Sequence, residues 1–230
     1  MNSNTFFYFC QLYAIIFSMK NLVILCGGLS SRMGSDKAML KIGEDTFVEH
    51  LYRNAREHFD RIIISIDTGE HEKIIRGLPL FCSLRSDEDA TAPEIVVDNY
   101  EKAGPIGGML SVFENTDVER FAVISTDVPE ADMRVLSALY ELCTKGTARL
   151  IMKDCPPEPL IAAYDRKVYE TLKSAYEGGE RRLKRVLPVR YCDLISDDEL
   201  KCFDRELEDL DFARAFRNYN TQEELRDLYV

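Results

Sequence analysis

The chain has no Cys-x-x-Cys pair, and its seven cysteines are odd in number and scattered along 230 residues. That distribution excludes a disulfide framework and a ribbon-type zinc site, and it reads as structural thiols in a reducing cytoplasm. Histidine is scarce: His50, His58 and His71 are the whole set and fall at no metal-ligand spacing. Internal repeats and low-complexity linkers are absent. No apolar run reaches the length of a bilayer crossing. The nearest approach, the aromatic tract within residues 1–18, is too short and lacks the basic start of a signal peptide. Basic residues are outnumbered 29 to 40, for a net charge of −11, which argues against nucleic acid or an anionic membrane as main partner. It also means that a phosphate-bearing ligand must be met by a local basic cluster and a metal ion. Two familiar phosphate signatures are missing as well: no Gly-Lys-Ser/Thr closes a Walker loop, and no Gly-x-Gly-x-x-Gly follows a strand.

What is present suits one α/β domain, with 46% hydrophobic residues and ample length for a core. Residues 1–18 read as a misassigned leader or a disordered extension, with Met19 opening the 19–230 domain and a membrane-touching extension as the alternative. From residue 20 onward, apolar β-branched runs alternate with amphipathic stretches. Strands are expected at 20–26, 61–66, 95–98 and 121–125. Helices are expected to start at 45–47 and to lie near 69–76, after 104–108, and over 130–144. The order predicts a Rossmann-like, three-layer αβα architecture with a mostly parallel central sheet. Residues 193–211 are strongly acidic and read as a solvated helix and loop.

Ligands of open parallel sheets sit beyond the carboxyl ends of the strands. Three segments fall there. In the first, the apolar run Asn21–Leu25 breaks into Cys26-Gly27-Gly28-Leu29-Ser30-Ser31-Arg32-Met33-Gly34-Ser35-Asp36-Lys37. Glycines expose backbone N–H groups, serines add hydroxyl donors, and Arg32 and Lys37 add fixed positive charge, which together make a phosphate-binding device. The second segment, 98–108, offers Asp98 and the turn Gly104-Pro105-Ile106-Gly107-Gly108. The third, Ser125-Thr126-Asp127-Val128-Pro129, places a carboxylate where it can hold Mg²⁺ against a triphosphate or, alternatively, cap a helix.

The pattern Leu-x-Gly-Gly-x-Ser-x-Arg-Met-Gly-x-Asp-Lys resembles the opening motif of the nucleotidyltransferases related to molybdenum cofactor guanylyltransferase. The similarity continues through Asp98 and 104–108, Asp127 with Pro129, Glu158-Pro159 (Glu in place of the family's His), Gly179-Glu180-Arg181-Arg182, and Phe216-Arg217-Asn218-Tyr219-Asn220-Thr221. The resemblance implies that GMP is transferred from GTP to the terminal phosphate of molybdopterin-bound molybdenum cofactor, releasing pyrophosphate. It implies Arg32, Lys37 and Asp127 as catalytic, with Asp127 holding Mg²⁺. Nucleotide binding falls to Leu25, Cys26, Gly27, Gly28, Lys37, Ser65, Asp98, Gly104, Pro105, Gly107, Gly108 and Asp127. Acceptor binding falls to Arg181, Arg182, Asn218 and Asn220. Ser65 stands where many guanylyl members carry Asn, a shorter side chain with fewer hydrogen bonds. The implied partners are GTP, molybdopterin, and cofactor-delivery or acceptor molybdoenzyme proteins, in the cytoplasm. The alternatives are a relative that uses CTP or another phosphorylated acceptor, and a GTP-binding homologue without transfer.

Overall fold

The computed structural model describes residues 19–27, 37–84, 92–101, 103–152, 157–187, 191–219 and 224. A seven-stranded sheet runs through the described residues in the order β5-β4-β1-β6-β8-β7-β9. Its strands are β1 (Asn21–Leu25), β4 (Arg61–Ile66), β5 (Glu94–Val97), β6 (Arg120–Ser125), β7 (Thr147–Ile151), β8 (Ala162–Asp165) and β9 (Cys192–Ser196). The short strands β2 (Lys41–Ile42) and β3 (Asp45–Thr46) form a separate hairpin that turns at Gly43. β1 pairs in parallel with β4 on one side and β6 on the other, and β4 with β5. β8 alone runs against its neighbours, and β7 pairs in parallel with β9.

The central strands are buried on both faces, which is why they read as continuous apolar runs rather than as alternating ones. Leu22 and Ile24 of β1 join one core, and Val23 and Leu25 join the other. The first core is covered by α1 (Phe47–Ala55), α5 (Met133–Leu142), α8 (Asp197–Phe203) and α9 (Phe212–Ala215), with α2 (Gly69–Arg76) and α3 (Pro79–Ser83) at its rim. The second lies under α4 (Pro105–Asn115), α6 (Tyr169–Glu177) and α7 (Leu183–Val186). Helices therefore cover both faces of a mostly parallel sheet, as the alternation of elements predicts.

Two local devices fix the start of α1 and the end of α4. Thr46 and Glu49 form a reciprocal capping box, and the buried Glu49 also accepts from the Leu80 N–H at 3.0 Å, tying α1 to α3. At the far side, Arg166 donates to the carbonyls of Phe113 (2.7 Å), Thr116 (2.9 Å) and Val118 (2.8 Å), closing the last turn of α4.

The C-terminal half differs from the sequence expectation in two places. The acidic stretch begins as strand β9, and only from Asp197 onward becomes helix α8 and a 3₁₀ turn. β7 is also a strand, although its middle residue is the buried Arg149, whose charge hides the apolar pattern.

Candidate functional site

The carboxyl ends of β1, β4, β5 and β6 lie side by side, because Leu25 is in register with both Ser65 and Ser125. Their outgoing loops are stitched together by backbone bonds: Cys26 N–H to Ser65 carbonyl at 2.8 Å, Asp98 N–H to Ile66 carbonyl at 2.8 Å, and Thr126 N–H to Leu25 carbonyl at 3.3 Å. The chain thus delivers Gly27, Asp67, Asp98 and Asp127 to one edge.

Asp98 is half-buried there, and Ser65, itself buried, donates to its Oδ1 at 2.8 Å. Burial pushes the Asp98 carboxyl up to about 6; the Ser65 hydrogen bond works against this, and the nearby Asp67 charge adds to it. Gly27 passes close to both acids: a Cβ at that position would lie 3.6 Å from Asp67 Cβ and 3.8 Å from Asp98 Oδ2. Leu25, the last residue of β1, and Cys26, just past it, have buried side chains beneath this edge.

Gly104 has φ +61°, a backbone shape that glycine adopts without strain, and it hands the chain to Pro105 at the first position of α4. Gly107 and Gly108 lie inside this helix. A Cβ on Gly107 would sit 2.5 Å from Ala103 Cβ, and one on Gly108 would sit 2.6 Å from Ser65 Oγ and 3.0 Å from Leu25 Cδ2. Gly108 lets the start of α4 approach the ends of β1 and β4, and Gly107 lets it close on the preceding loop, which together build one wall of the cleft.

Lys37 and Asp127 face each other at 3.8 Å between Nζ and Oδ2, both partly exposed. Lys37 opens a 3₁₀ turn (Lys37–Met39), and Asp127 follows β6, where the Ser125 hydroxyl donates to its Oδ1. The backbone carbonyl of Asp127 accepts from the Tyr219 N–H at 2.8 Å, and the Tyr219 phenol donates to Glu130 Oε2 at 2.5 Å. The preceding residue, Asn218, is exposed.

Next to Pro105 opens a cavity of about 440 Å³, floored by Pro159, Leu160 and Leu183 and rimmed by Arg181, Arg182, Lys184 and Arg185. Arg181 stacks 3.8 Å above the Tyr176 ring centroid and donates to the Tyr176 carbonyl. Arg182 is held by the Glu180 carboxylate at 2.9 and 3.2 Å, and Lys184 by Glu158 at 3.1 Å. These charge pairs lie at the surface, where they are weak and readily exchanged for a stronger anion.

Gly28, Arg32 and Asn220 fall outside the described residues. Asp67 and Tyr219 join the cluster without having been singled out in the sequence. Asp67 had a signal, since it is the first residue past β4 just as Asp98 is the first past β5. Tyr219 had none, because the contacts that tie it to the site, to Phe47, Asp127 and Glu130, are distant along the chain. Among the described residues no group of three or more His, Cys, Asp or Glu side chains surrounds a common point. A lone carboxylate fits an Mg²⁺ ion that keeps its remaining positions for phosphate oxygens and water. No described helix is long and apolar enough to cross a membrane.

A parallel sheet that gathers a glycine turn, a lysine and separate carboxylates on one edge defines a nucleotide-handling α/β domain of the nucleotidyltransferase type. The chain belongs to the MobA-like NTP transferase domain family, whose sequence model matches residues 22–193. It is 27% identical over 215 residues to a Methanosarcina mazei protein named "Probable molybdenum cofactor guanylyltransferase", spanning 92% of this chain and 90% of that one. A Flavobacterium johnsoniae protein of the same name is 25% identical over 208 residues, spanning 90% and 95%. The fold is similar to that of the molybdopterin-guanine dinucleotide biosynthesis protein A of Archaeoglobus fulgidus, with a TM-score of 0.70 at 22% identity, covering 90% of this chain and 96% of that one.

Proposed function

We propose that the chain transfers GMP from GTP to the terminal phosphate of molybdopterin-bound molybdenum cofactor. The observation that carries this reading is the pairing of Lys37 with Asp127 at 3.8 Å, on the same sheet edge where Gly27 runs beside Asp98. The relatives' names supply the acceptor. Asp98 accepts from N1–H and the exocyclic amine of guanine, while the start of α4 lies against the base side of the cleft. The acceptor occupies the cavity beside Pro105, the flat face of its ring system over Pro159, Leu160 and Leu183, and its phosphate drawing Arg181 and Arg182 away from Tyr176 and Glu180. Asn218 and Asn220 read the acceptor's polar edge.

An acceptor phosphate oxygen attacks the α-phosphorus, the bond from that phosphorus to the bridging oxygen breaks, and pyrophosphate leaves. The attacking oxygen is already ionised, so no general base is needed and the protein's part is positioning and charge neutralisation. Mg²⁺ on Asp127 would supply charge screening for the phosphates. Lys37 and Arg32 stabilise the charge that builds on the α-phosphoryl group and the leaving pyrophosphate.

The test is a panel of labelled GTP, CTP and ATP with and without molybdopterin. Transfer from GTP alone, dependent on acceptor, is expected. Asp127→Ala should cost about 100-fold or more in rate with the fold intact by circular dichroism. Full activity of that variant in chelated buffer rules out the metal role, and transfer from CTP in preference to GTP rules out the base assignment.

A further inference from the structure

Lys37 and Asp127 reach the site from segments far apart in sequence, and neither segment is a rigid element at the point of departure. One is a 3₁₀ turn, the other a loop after β6. A single side chain from the C-terminal region touches the supports of both. Tyr219 is 2% exposed, and its ring is buried with Phe47, against Leu40 and Ile42. Leu40 is the anchor of the Lys37 turn: its N–H donates to the Lys37 carbonyl at 3.1 Å, and its carbonyl accepts from the Phe47 N–H at 2.7 Å. On the other side, the Tyr219 N–H holds the Asp127 carbonyl at 2.8 Å, and the phenol reaches Glu130 at 2.5 Å, three residues further along the same loop. Backbone, ring and hydroxyl of one residue therefore grip two loops from the rear, while the Lys37 and Asp127 side chains meet at the front.

We propose that Tyr219 is a positioning residue for the transfer, fixing the separation of Lys37 and Asp127 by joining the segments that carry them. The inference rests on the functional reading above, in that Lys37 and Asp127 are taken to work on the same triphosphate. Positioning of this kind acts on rate more than on ground-state binding, because a displacement of about 1 Å between reacting groups is enough to cost about 100-fold. The GTP base and cavity contacts do not pass through Tyr219, so the affinity for GTP is expected to hold.

The experiment compares wild type with Tyr219→Ala, Tyr219→Leu and Tyr219→Phe. It measures kcat and KM for GTP, the Mn²⁺ concentration giving half-maximal rate, and the electron paramagnetic resonance spectrum of Mn²⁺ with protein and GTP in the absence of acceptor. Tyr219→Ala is expected to lower kcat about tenfold or more, to change the KM for GTP by less than about threefold, to raise the Mn²⁺ requirement, and to reduce the protein-bound Mn²⁺ signal. Tyr219→Phe, which keeps the ring and the backbone bond, is expected to recover most of kcat. If the alanine variant fails to fold, the leucine variant carries the same expectations. A variant that melts earlier but keeps wild-type kcat, Mn²⁺ requirement and spectrum per folded molecule overturns the proposal. Absence of transfer by the wild-type chain overturns the functional reading instead, and the Mn²⁺ spectrum then decides for or against Tyr219 by itself.

Discussion

Asp98 carries two requirements that pull against each other. In the role proposed for it, accepting from guanine, it must be a carboxylate, yet burial raises its proton affinity and holds the carboxyl up to about 6. The protonated form grows as pH falls through that value, so GTP affinity is expected to drop on acidification below about pH 6, approaching tenfold per unit. Titration calorimetry across pH 5–8 checks this, with Asp98→Asn as a control that loses the dependence. Ser65 stabilises the charged form at 2.8 Å, so Ser65→Ala should move the midpoint upward, and an unchanged midpoint would break the link between the two residues. Stability responds to pH in the opposite direction. A raised carboxyl binds its proton better folded than unfolded, so ionised Asp98 weakens the fold. That cost is absent at pH values below the ordinary carboxylate range and complete above about 6.

At the scale of elements, the site depends on how closely α4 lies against the sheet. Gly108→Ala puts a methyl 2.6 Å from Ser65 Oγ and 3.0 Å from Leu25 Cδ2. The expected cost is about 1–3 kcal/mol in urea unfolding, together with loss of the Ser65–Asp98 bond and its effect on the pH profile. Thr46→Ala removes the side-chain half of the α1 capping box and should cost about 1 kcal/mol, with GTP binding unchanged. The same elements show what the sequence could reveal. β1, β4 and β6 stand out as apolar runs because both faces are buried, and Asp98 and Asp127, just past the ends of β5 and β6, follow from the topology. β7 does not stand out, since Arg149 interrupts it, and β9 is masked by the acidic residues that follow it. The internal partners of Arg181 and Arg182 were equally out of reach, because a ring stack and a local carboxylate leave no spacing rule in the chain.

Across the whole molecule, a net charge of −11 surrounds a site proposed to take polyanions, and the described cations nearest it are those of the cavity rim and Lys37. A chain ending at Arg217 tests how far the site leans on its last segment: cooperative thermal unfolding should persist while transfer is lost with Tyr219 and the residues after it. The strand order has a different implication. β5, β4, β1 and β6 occupy adjacent places and come from the first 125 residues, whereas β8, the neighbour that covers the free side of β6, is made 40 residues later. On the ribosome, the growing polypeptide therefore passes through a stage in which four parallel strands are complete and Phe121, Val123 and their neighbours sit beside an unpaired edge. That stage is open to mispairing with other nascent chains and is the natural point for chaperone engagement.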